Sequence, residues 1–481
     1  MLLASDQAVR RPDRIHAPEG LPYFTRGDGA AWTPIGHNDA ITWPELSPLF
    51  RRRDPAAVER HLLWLRDHGV TCIRLMLEYC HGEHRYFERP VGRFVPNMVR
   101  LWDDLFELLE KTGLRVLLTP YDTFFMWIRW RHHPYNRANG GVCASRGSWL
   151  TCPDTRAAIK DRLGFASDRW GGSPALFAWD LWNEIHPAHG GNDPAAAAPF
   201  IDDVGSWLRT REIERRGYAN LQTVSVFGPE LINHPALVEP IFRHPGLDFA
   251  NTHLYEKGTI DAPRDTVAPA LAVARLMQKA VQDAGTGRAV FDSEHGPIHS
   301  FKDKKRTLPE AFDDEYFRHI QWAHLASGGA GGGMRWPNRH PHVLTAGMRQ
   351  AQQVLAQFLP RIDWTSFRRR NLTDELHCDD AGLALVGCGD EAQAIVWAVR
   401  TDSLSPEGTV RSKELAPPAT LRIPGLANGA YRVTAYDTRH GNAAGSYEAE
   451  SRDGMLCVTT APIERDLVFA IRTTAPGEAQ A

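Results

Sequence analysis

The chain has 481 residues, 43% hydrophobic and 23% charged. That length exceeds what one hydrophobic core usually organises, so two domains of ordinary globular composition are expected. A formal net charge of −3 without a long basic run argues against nucleic acid or an anionic membrane surface as the main partner.

Seven cysteines (Cys72, Cys80, Cys143, Cys152, Cys378, Cys388 and Cys457) form an odd set with no CxxC pair. This speaks against a zinc ribbon or a disulfide framework. A Cys143–Cys152 pairing across a loop is open to the spacing; buried free thiols are the expectation ahead of it. The N-terminal run MLLASDQAVRR has too short an apolar stretch for a signal peptide. A cytoplasmic location is expected, or a periplasmic or secreted one if an export signal has been removed. No apolar stretch is long enough to span a bilayer.

The first 360 residues alternate short strand-like runs with amphipathic helices. PIGHN at 34–38 is a candidate first strand, after which Asp54 and Pro55 open a helix that Gly69 stops. A second strand at 71–79 leads to a helix opened by Asn97 and ended by Gly113. A third strand at 114–120 is followed by a long aromatic loop at 123–153 and a helix over about 154–170. A fourth strand at 176–184 precedes a helix reaching about 216, and a fifth at 221–227 precedes a short helical stretch. A sixth strand at 247–255, a seventh at 288–294 and an eighth at 329–336 precede helices over about 266–284, 308–327 and 345–358. Eight strand–helix units in order predict a (β/α)₈ TIM barrel over about 1–360, with a short N-terminal extension. A doubly wound open sheet would want a Gly-rich phosphate turn after an early strand, and none follows the first. The glycine run at 328–333 lacks the lysine of a P-loop and reads as close backbone packing in the last strand. From about 361 the runs shorten, favour β-formers and are separated by Gly, Asn, Asp and Pro. They predict a small antiparallel β-sandwich over 361–481, ending in a frayed tail.

Catalytic groups in such a barrel stand at the C-terminal ends of strands. Glu184 closes the fourth strand in DLWNE, and Glu294 closes the seventh in VFDSEHG. Two carboxylates on one rim supply what cleavage of a glycosidic bond needs: one protonates the leaving oxygen, the other attacks the anomeric carbon or activates water. Arg74 alternates with Cys72 and Met76 on the second strand, so a buried guanidinium there requires a carboxylate partner. His253 and Tyr255 share a strand face by alternation. Fifteen tryptophans are a high count; core filling accounts for most of them, and a few near strand ends are candidates to stack on sugars.

With these residues in place, the barrel region resembles clan A of the glycoside hydrolases, and family 5, the cellulase and mannanase family, most closely. Trp182-Asn183-Glu184 carries the resemblance. It implies Glu184 as acid/base, Asn183 as the ligand of the sugar 2-hydroxyl and Glu294 as nucleophile. It further implies Arg74 as the cation holding the nucleophile ionised, His253 and Tyr255 as the family's His-x-Tyr, and Trp336 as the aromatic floor of the −1 subsite. The family's histidine near the end of strand three is missing: the segment reads TPYDTFF, leaving Tyr121 or Asp122 in that region. His37 or Asn38, at the end of the first strand, is a further candidate for the site. The expected function is retaining hydrolysis of a β-linked oligo- or polysaccharide, gluco- or manno-configured and exo-acting if the 123–153 loop walls off the cleft. No cofactor or metal is expected.

Two other readings compete. A metal-dependent hydrolase on the same barrel would draw on histidines around Glu83 (His81 and His84), on His132 and His133, or on His186 and His189; no HExxH occurs. A non-catalytic carbohydrate-binding protein would keep the barrel without turnover.

Overall fold

Asp54 accepts the amide of Ala57 and Pro55 stands in the first turn, so the helix Pro55–Asp67 begins where its cap and fixed φ demand. The computed structural model describes residues 13–78, 86–256, 263–285, 287–297, 307–337, 339–411 and 415–474. His81, Glu83, His84 and Cys80 lie outside the described residues. Similar logic sets the other helices, with one shift of signal. Pro96 rather than Asn97 opens the helix Pro96–Thr112, and Gly113, at φ 78°, closes it in the left-handed conformation that a side chain would strain.

Five parallel strands (Gly36–Asp39, Cys72–Met76, Arg115–Thr119, Leu176–Asp180 and Leu221–Thr223) pair in sequence order. Two more, Ala250–Thr252 and Val290–Asp292, form a second parallel pair. Single parallel bridges join Phe227 to His253, His295 to Arg335 and Arg335 to His37. Helices Pro153–Trp170, Ala268–Ala284, Glu310–Ala326 and Ala346–Phe358 intervene as expected. The predicted helix after the fourth strand is broken into short turns, a π segment at Ile201–Gly205 and the helix Ser206–Arg216.

The eighth strand is irregular. No extended ladder forms at 329–336; the bridges fall at Arg335, but backbone amides of Ala330, Met334 and Trp336 donate to Val290, Asp292 and His295 of the neighbouring strand and its extension. Gly331 and Gly333 have φ of 136° and 76°, outside strand geometry. A Cβ on Gly333 would stand 3.0 Å from both His295 and His324, so the chain here trades regular pairing for close approach.

Residues 13–32 seal the N-terminal end of the parallel strands with a three-stranded antiparallel sheet. Phe24 meets Phe177 and Phe249 edge to face at 5.1 and 5.2 Å, so one aromatic plug closes the floor opposite the rim that carries the candidate site.

The C-terminal strands hydrogen-bond into one antiparallel sheet of nine, whose two halves face each other in the manner of the expected sandwich. The order is Arg370–Asn371, Leu383–Gly389, Gln393–Arg400, Asp466–Thr473, Gly429–Asp437, Ala443–Arg452, Met455–Thr459, Thr420–Pro424 and His377–Cys378. Side chains from both halves meet in one core that includes Val396, Phe469, Val433, Leu456 and Leu421, so the sheet curls over itself. Period-two alternation on Gln393–Arg400 couples the two parts of the chain. Ala394, Val396 and Ala398 face the curled core; Ile395, Trp397 and Val399 join the core packed around the parallel strands. Asp466 ties the seam: its carboxylate accepts from Trp397 Nε1 at 3.0 Å and pairs with Arg318 at 3.3 Å.

The six described cysteines are all free, and no described helix is long and apolar enough to cross a membrane.

Candidate functional site

Arg74 is the hub of the site. It lies in register beside Asn38 on one neighbouring strand and Leu117 on the other, and is wholly buried. Its Nη1 donates to Glu294 Oε2 at 2.9 Å and to Asn38 Oδ1 at 2.9 Å. Its Nη2 donates to Asp180 Oδ2 at 2.8 Å and to Asn183 Oδ1. A guanidinium taken out of water needs such compensation, and the carboxylates hold it charged, its pKa raised despite desolvation.

Glu294 is held on both oxygens: Oε2 by Arg74, and Oε1 by the Tyr255 hydroxyl at 2.8 Å. Its backbone is fixed from behind, since Asp292 Oδ1 accepts the amides of Glu294 and Leu254, each at 3.2 Å. The other Asp292 oxygen meets His324 at 2.6 Å.

Glu184 sits beyond the regular part of the fourth strand, at φ 52°, a left-handed conformation uncommon for a residue with a side chain. Such strain costs about 1–3 kcal/mol and needs a surrounding structure that imposes it. That structure is visible: Ser225 Oγ accepts the Glu184 amide at 3.0 Å and itself donates to Asp180 at 2.9 Å. The turned carboxyl meets His253 Nδ1 at 2.8 Å, while His253 Nε2 meets Ser293 Oγ at 3.0 Å. A carboxyl oxygen of Glu184, a ring nitrogen of His253 and a carboxyl oxygen of Glu294 all lie within 4.8 Å of one another.

Burial raises the pKa of both carboxyls to about 7. At that spacing the Glu184 charge adds to the rise at Glu294. The hydrogen bonds differ between the two. Glu294 takes two donors, one cationic; Glu184 has only the ring of His253, which burial lowers to about 4 and keeps neutral. These bonds favour negative charge on Glu294 over Glu184.

The sequence candidates fare differently. Glu184, Glu294, Arg74, Asn183, His253 and Tyr255 converge in one cluster. Asn38 also reaches it, but as a brace: its amide donates to Ser293 O at 2.9 Å while its oxygen takes Arg74. Asp122, not Tyr121, reaches it after strand three, accepting from the Asn183 amide; the Tyr121 hydroxyl turns instead to Tyr135 at 2.8 Å. Trp336 stands on the rim, its ring edge-on to Trp43 at 5.1 Å. His37 is a correction. One residue before Asn38, it alternates to the outer face of the strand and packs against Arg349 at 3.1 Å. Sequence reasoning passed over Asp180, Ser225, Ser293 and Asp292. Asp180 left a signal, a carboxylate inside the apolar run LFAWD that could pair with Arg74.

Two groups among the described residues offer three donors within reach of one metal ion: Glu184 with His253 and Glu294, and His37 with Asp39 and Glu45. Neither suits a cation. In the first, both Glu294 oxygens and both His253 nitrogens already have partners, and Arg74 stands at 2.9 Å. In the second, Arg349 lies 3.1 Å from both His37 and Glu45.

No protein-family model matches the sequence, and no curated protein matches it. Solved structures do. A protein described as a glycoside hydrolase is 12% identical, with 96% of this chain and 97% of that one covered at a TM-score of 0.58. A glycoside hydrolase family 5 protein from Bacteroides vulgatus ATCC 8482 is 10% identical over 97% of this chain and 94% of that one, at a TM-score of 0.59. A mutant of a family 5 mannosidase from Rhizomucor miehei, in complex with mannosyl-fructose, is 13% identical over 72% and 97%, at 0.51. The structural neighbours are thus glycoside hydrolases, and at these identities the likeness is one of fold.

Proposed function

We propose that this chain is a retaining β-glycoside hydrolase on a closed (β/α)₈ barrel, with Glu184 as acid/base and Glu294 as nucleophile. The observation that carries the proposal is the approach of the two carboxyls: oxygens within 4.8 Å, one ionised by Arg74 and Tyr255, the other left its proton. Retaining enzymes need carboxyls about 5–5.5 Å apart, against about 6.5–9.5 Å when a water must fit between them and the sugar. The bridges at Phe227, His295 and Arg335 support the closed barrel, joining the parallel strands into a ring.

In this mechanism Glu294 attacks the anomeric carbon as Glu184 gives its proton to the leaving oxygen. Glu184, then ionised, takes a proton from water, whose oxygen displaces Glu294 and frees the sugar. With Glu184 protonated, Arg74 still faces the carboxyls of Asp180 and Glu294, so acidic groups outnumber the cation. A buried anionic cluster favours the positive charge that develops on the sugar ring. Asn183, braced between Arg74 and Asp122, is positioned to bind the 2-hydroxyl, with Trp336 as the sugar's floor.

We read the substrate as a short β-linked mannoside or glucoside. The Rhizomucor neighbour is a mannosidase, which supports the manno configuration. The segment after strand three supports a short or end-directed cleft, since it packs as a fixed wall: Tyr135 stacks on Trp149 at 4.8 Å, and Trp149 meets Trp182 edge-on at 5.8 Å. Turnover of a panel of aryl β-glycosides by the wild type and by Glu184→Ala tests the proposal. Loss of activity in the variant, least for the most acidic phenol leaving groups, is expected. An inactive wild type, or a variant that loses nothing, overturns it.

A further inference from the structure

Trp336 stands half-buried on the rim, at the end of a stretch that backbone pairing alone holds poorly. Gly331 and Gly333 take positive φ just before it. The amides of Ala330, Met334 and Trp336 reach the neighbouring strand, without a continuous ladder.

Side chains supply the hold that the ladder lacks. Arg335, the residue before Trp336, and Arg339, a little after it, both reach one carboxylate. Arg335 Nη2 donates to Asp313 Oδ1 at 2.6 Å. Arg339 Nη1 donates to Asp313 Oδ2, and also to Leu308 O at 3.3 Å. Asp313 lies in the first turn of the helix Glu310–Ala326 and is wholly buried. Negative charge is favoured there by the helix dipole. Tyr316, one turn on, lies beside the Arg335 guanidinium, its ring centre 5.7 Å from Cζ. One side chain of the helix layer thus clamps the chain on either side of Trp336.

Stability does not account for this clamp. Arg335 is fully buried, yet its Nε and Nη1 have no hydrogen-bond partner among the described residues. Apolar residues of similar volume usually serve a fold as well as a buried ion pair, and without stranded donors. What they lack is direction: a planar guanidinium on a fixed carboxylate sets where its own backbone stands. Arg335 points outward to the helix, so by alternation Trp336 turns the opposite way. The neighbouring rim aromatic is tied to the helix layer in the same manner. Trp43 meets Trp336 edge-on at 5.1 Å, and Glu45, two residues on, pairs with Arg349 of the helix Ala346–Phe358 at 3.1 Å.

We propose that Asp313 is a positioning residue: through Arg335 and Arg339 it sets the depth and tilt of the Trp336 indole. Its bearing on turnover rests on the hydrolase reading above, in which that indole is the floor under the sugar; the clamp itself does not.

The test labels the enzyme with 5-fluorotryptophan and reads the fluorine spectrum. The Trp336 line is the one missing from Trp336→Phe, and the Trp43 line the one missing from Trp43→Phe. Arg339→Met removes the outer arm of the clamp. Asp313→Leu with Arg335→Met removes the buried pair together, so that neither charge is left alone inside. In both, the Trp336 line is expected to shift or broaden, with the Trp43 line following and the other lines in place. With 4-nitrophenyl β-D-mannoside or β-D-glucoside, kcat/KM should fall about tenfold in the paired variant and less in Arg339→Met. Arg339→Lys, which keeps a donor for Asp313, should restore both readouts. A Trp336 line unmoved in Arg339→Met, or all lines moving alike, overturns the proposal; that variant decides alone if the paired one does not fold. A moved line with unchanged kcat/KM overturns the link from the clamp to turnover. A wild type that releases no nitrophenol from either donor overturns the hydrolase reading, and the fluorine spectrum still decides the clamp.

Discussion

Arg74 and Glu294, 220 positions apart in sequence, meet in a 2.9 Å ion pair from which solvent is almost excluded. The pair makes one carboxyl unlike its neighbour, and the chemistry proposed here depends on that asymmetry. Replacing Arg74 by Lys keeps the charge but loses the fork that reaches Glu294, Asn38, Asp180 and Asn183 at once. We expect kcat/KM to fall at least about 100-fold. The acidic limb of the pH–rate profile should move up, because Glu294 loses a partner that lowers its pKa. Steady-state kinetics across pH checks both.

Tyr255→Phe removes only the hydroxyl that donates to Glu294 Oε1. The same upward shift of the acidic limb is expected, smaller than for Arg74→Lys, with kcat/KM down about tenfold. The melting temperature should change little, since the ring stays in place. A profile unmoved by the substitution would show that the hydroxyl does not tune the nucleophile.

In the proposed mechanism Glu184 acts protonated, and burial pushes its pKa up to about 7. Activity should therefore decline as pH rises through about 7, as the acid is lost. With an aryl glycoside whose phenol leaves without protonation, that alkaline decline should disappear from the first step. Pre-steady-state release of the phenol across pH reads it directly.

Much of this site was legible in the sequence because charge in an apolar strand demands a partner. Arg74 among Cys72, Ile73 and Leu75 called for a carboxylate on that ground, Glu184 and Glu294 stood out at strand ends, and the family resemblance implied which of them Arg74 meets. The alternation of His253 and Tyr255 was equally plain, and the structure sends the first to Glu184 and the second to Glu294. What escaped was set by registers between distant strands. Ser225 and Ser293 are unremarkable in sequence, yet they hold the strained Glu184 backbone and the His253 ring. His37 and Asn38 could not be told apart until the face of the first strand was known. The eighth strand is irregular because its glycines, at positive φ, favour close packing over a continuous ladder, and only part of the backbone pairing remains.

The seam between the helix Glu310–Ala326 and the C-terminal sheet makes a separate prediction. Arg318 and His319 hold the Asp466 carboxyl far below the ordinary carboxylate range against the opposing effect of burial. A depressed folded pKa means that this stabilisation is fully present above about pH 4 and is lost as pH falls further. Asp466→Asn should destabilise the whole chain by about 3–5 kcal/mol at neutral pH, since it leaves Arg318 short of a partner in a core shared by both domains. It should also flatten the acid side of the stability curve. Thermal melts of the two proteins between pH 3 and 7 test this.

The most direct measurement is covalent trapping. The wild type would be incubated with 2-deoxy-2-fluoro β-mannosyl and β-glucosyl donors bearing a dinitrophenyl leaving group, then digested and mapped by mass spectrometry. The account predicts one glycosyl adduct per chain, on Glu294. An adduct on any other residue, or rapid turnover that releases the inverted sugar with no adduct, would contradict it.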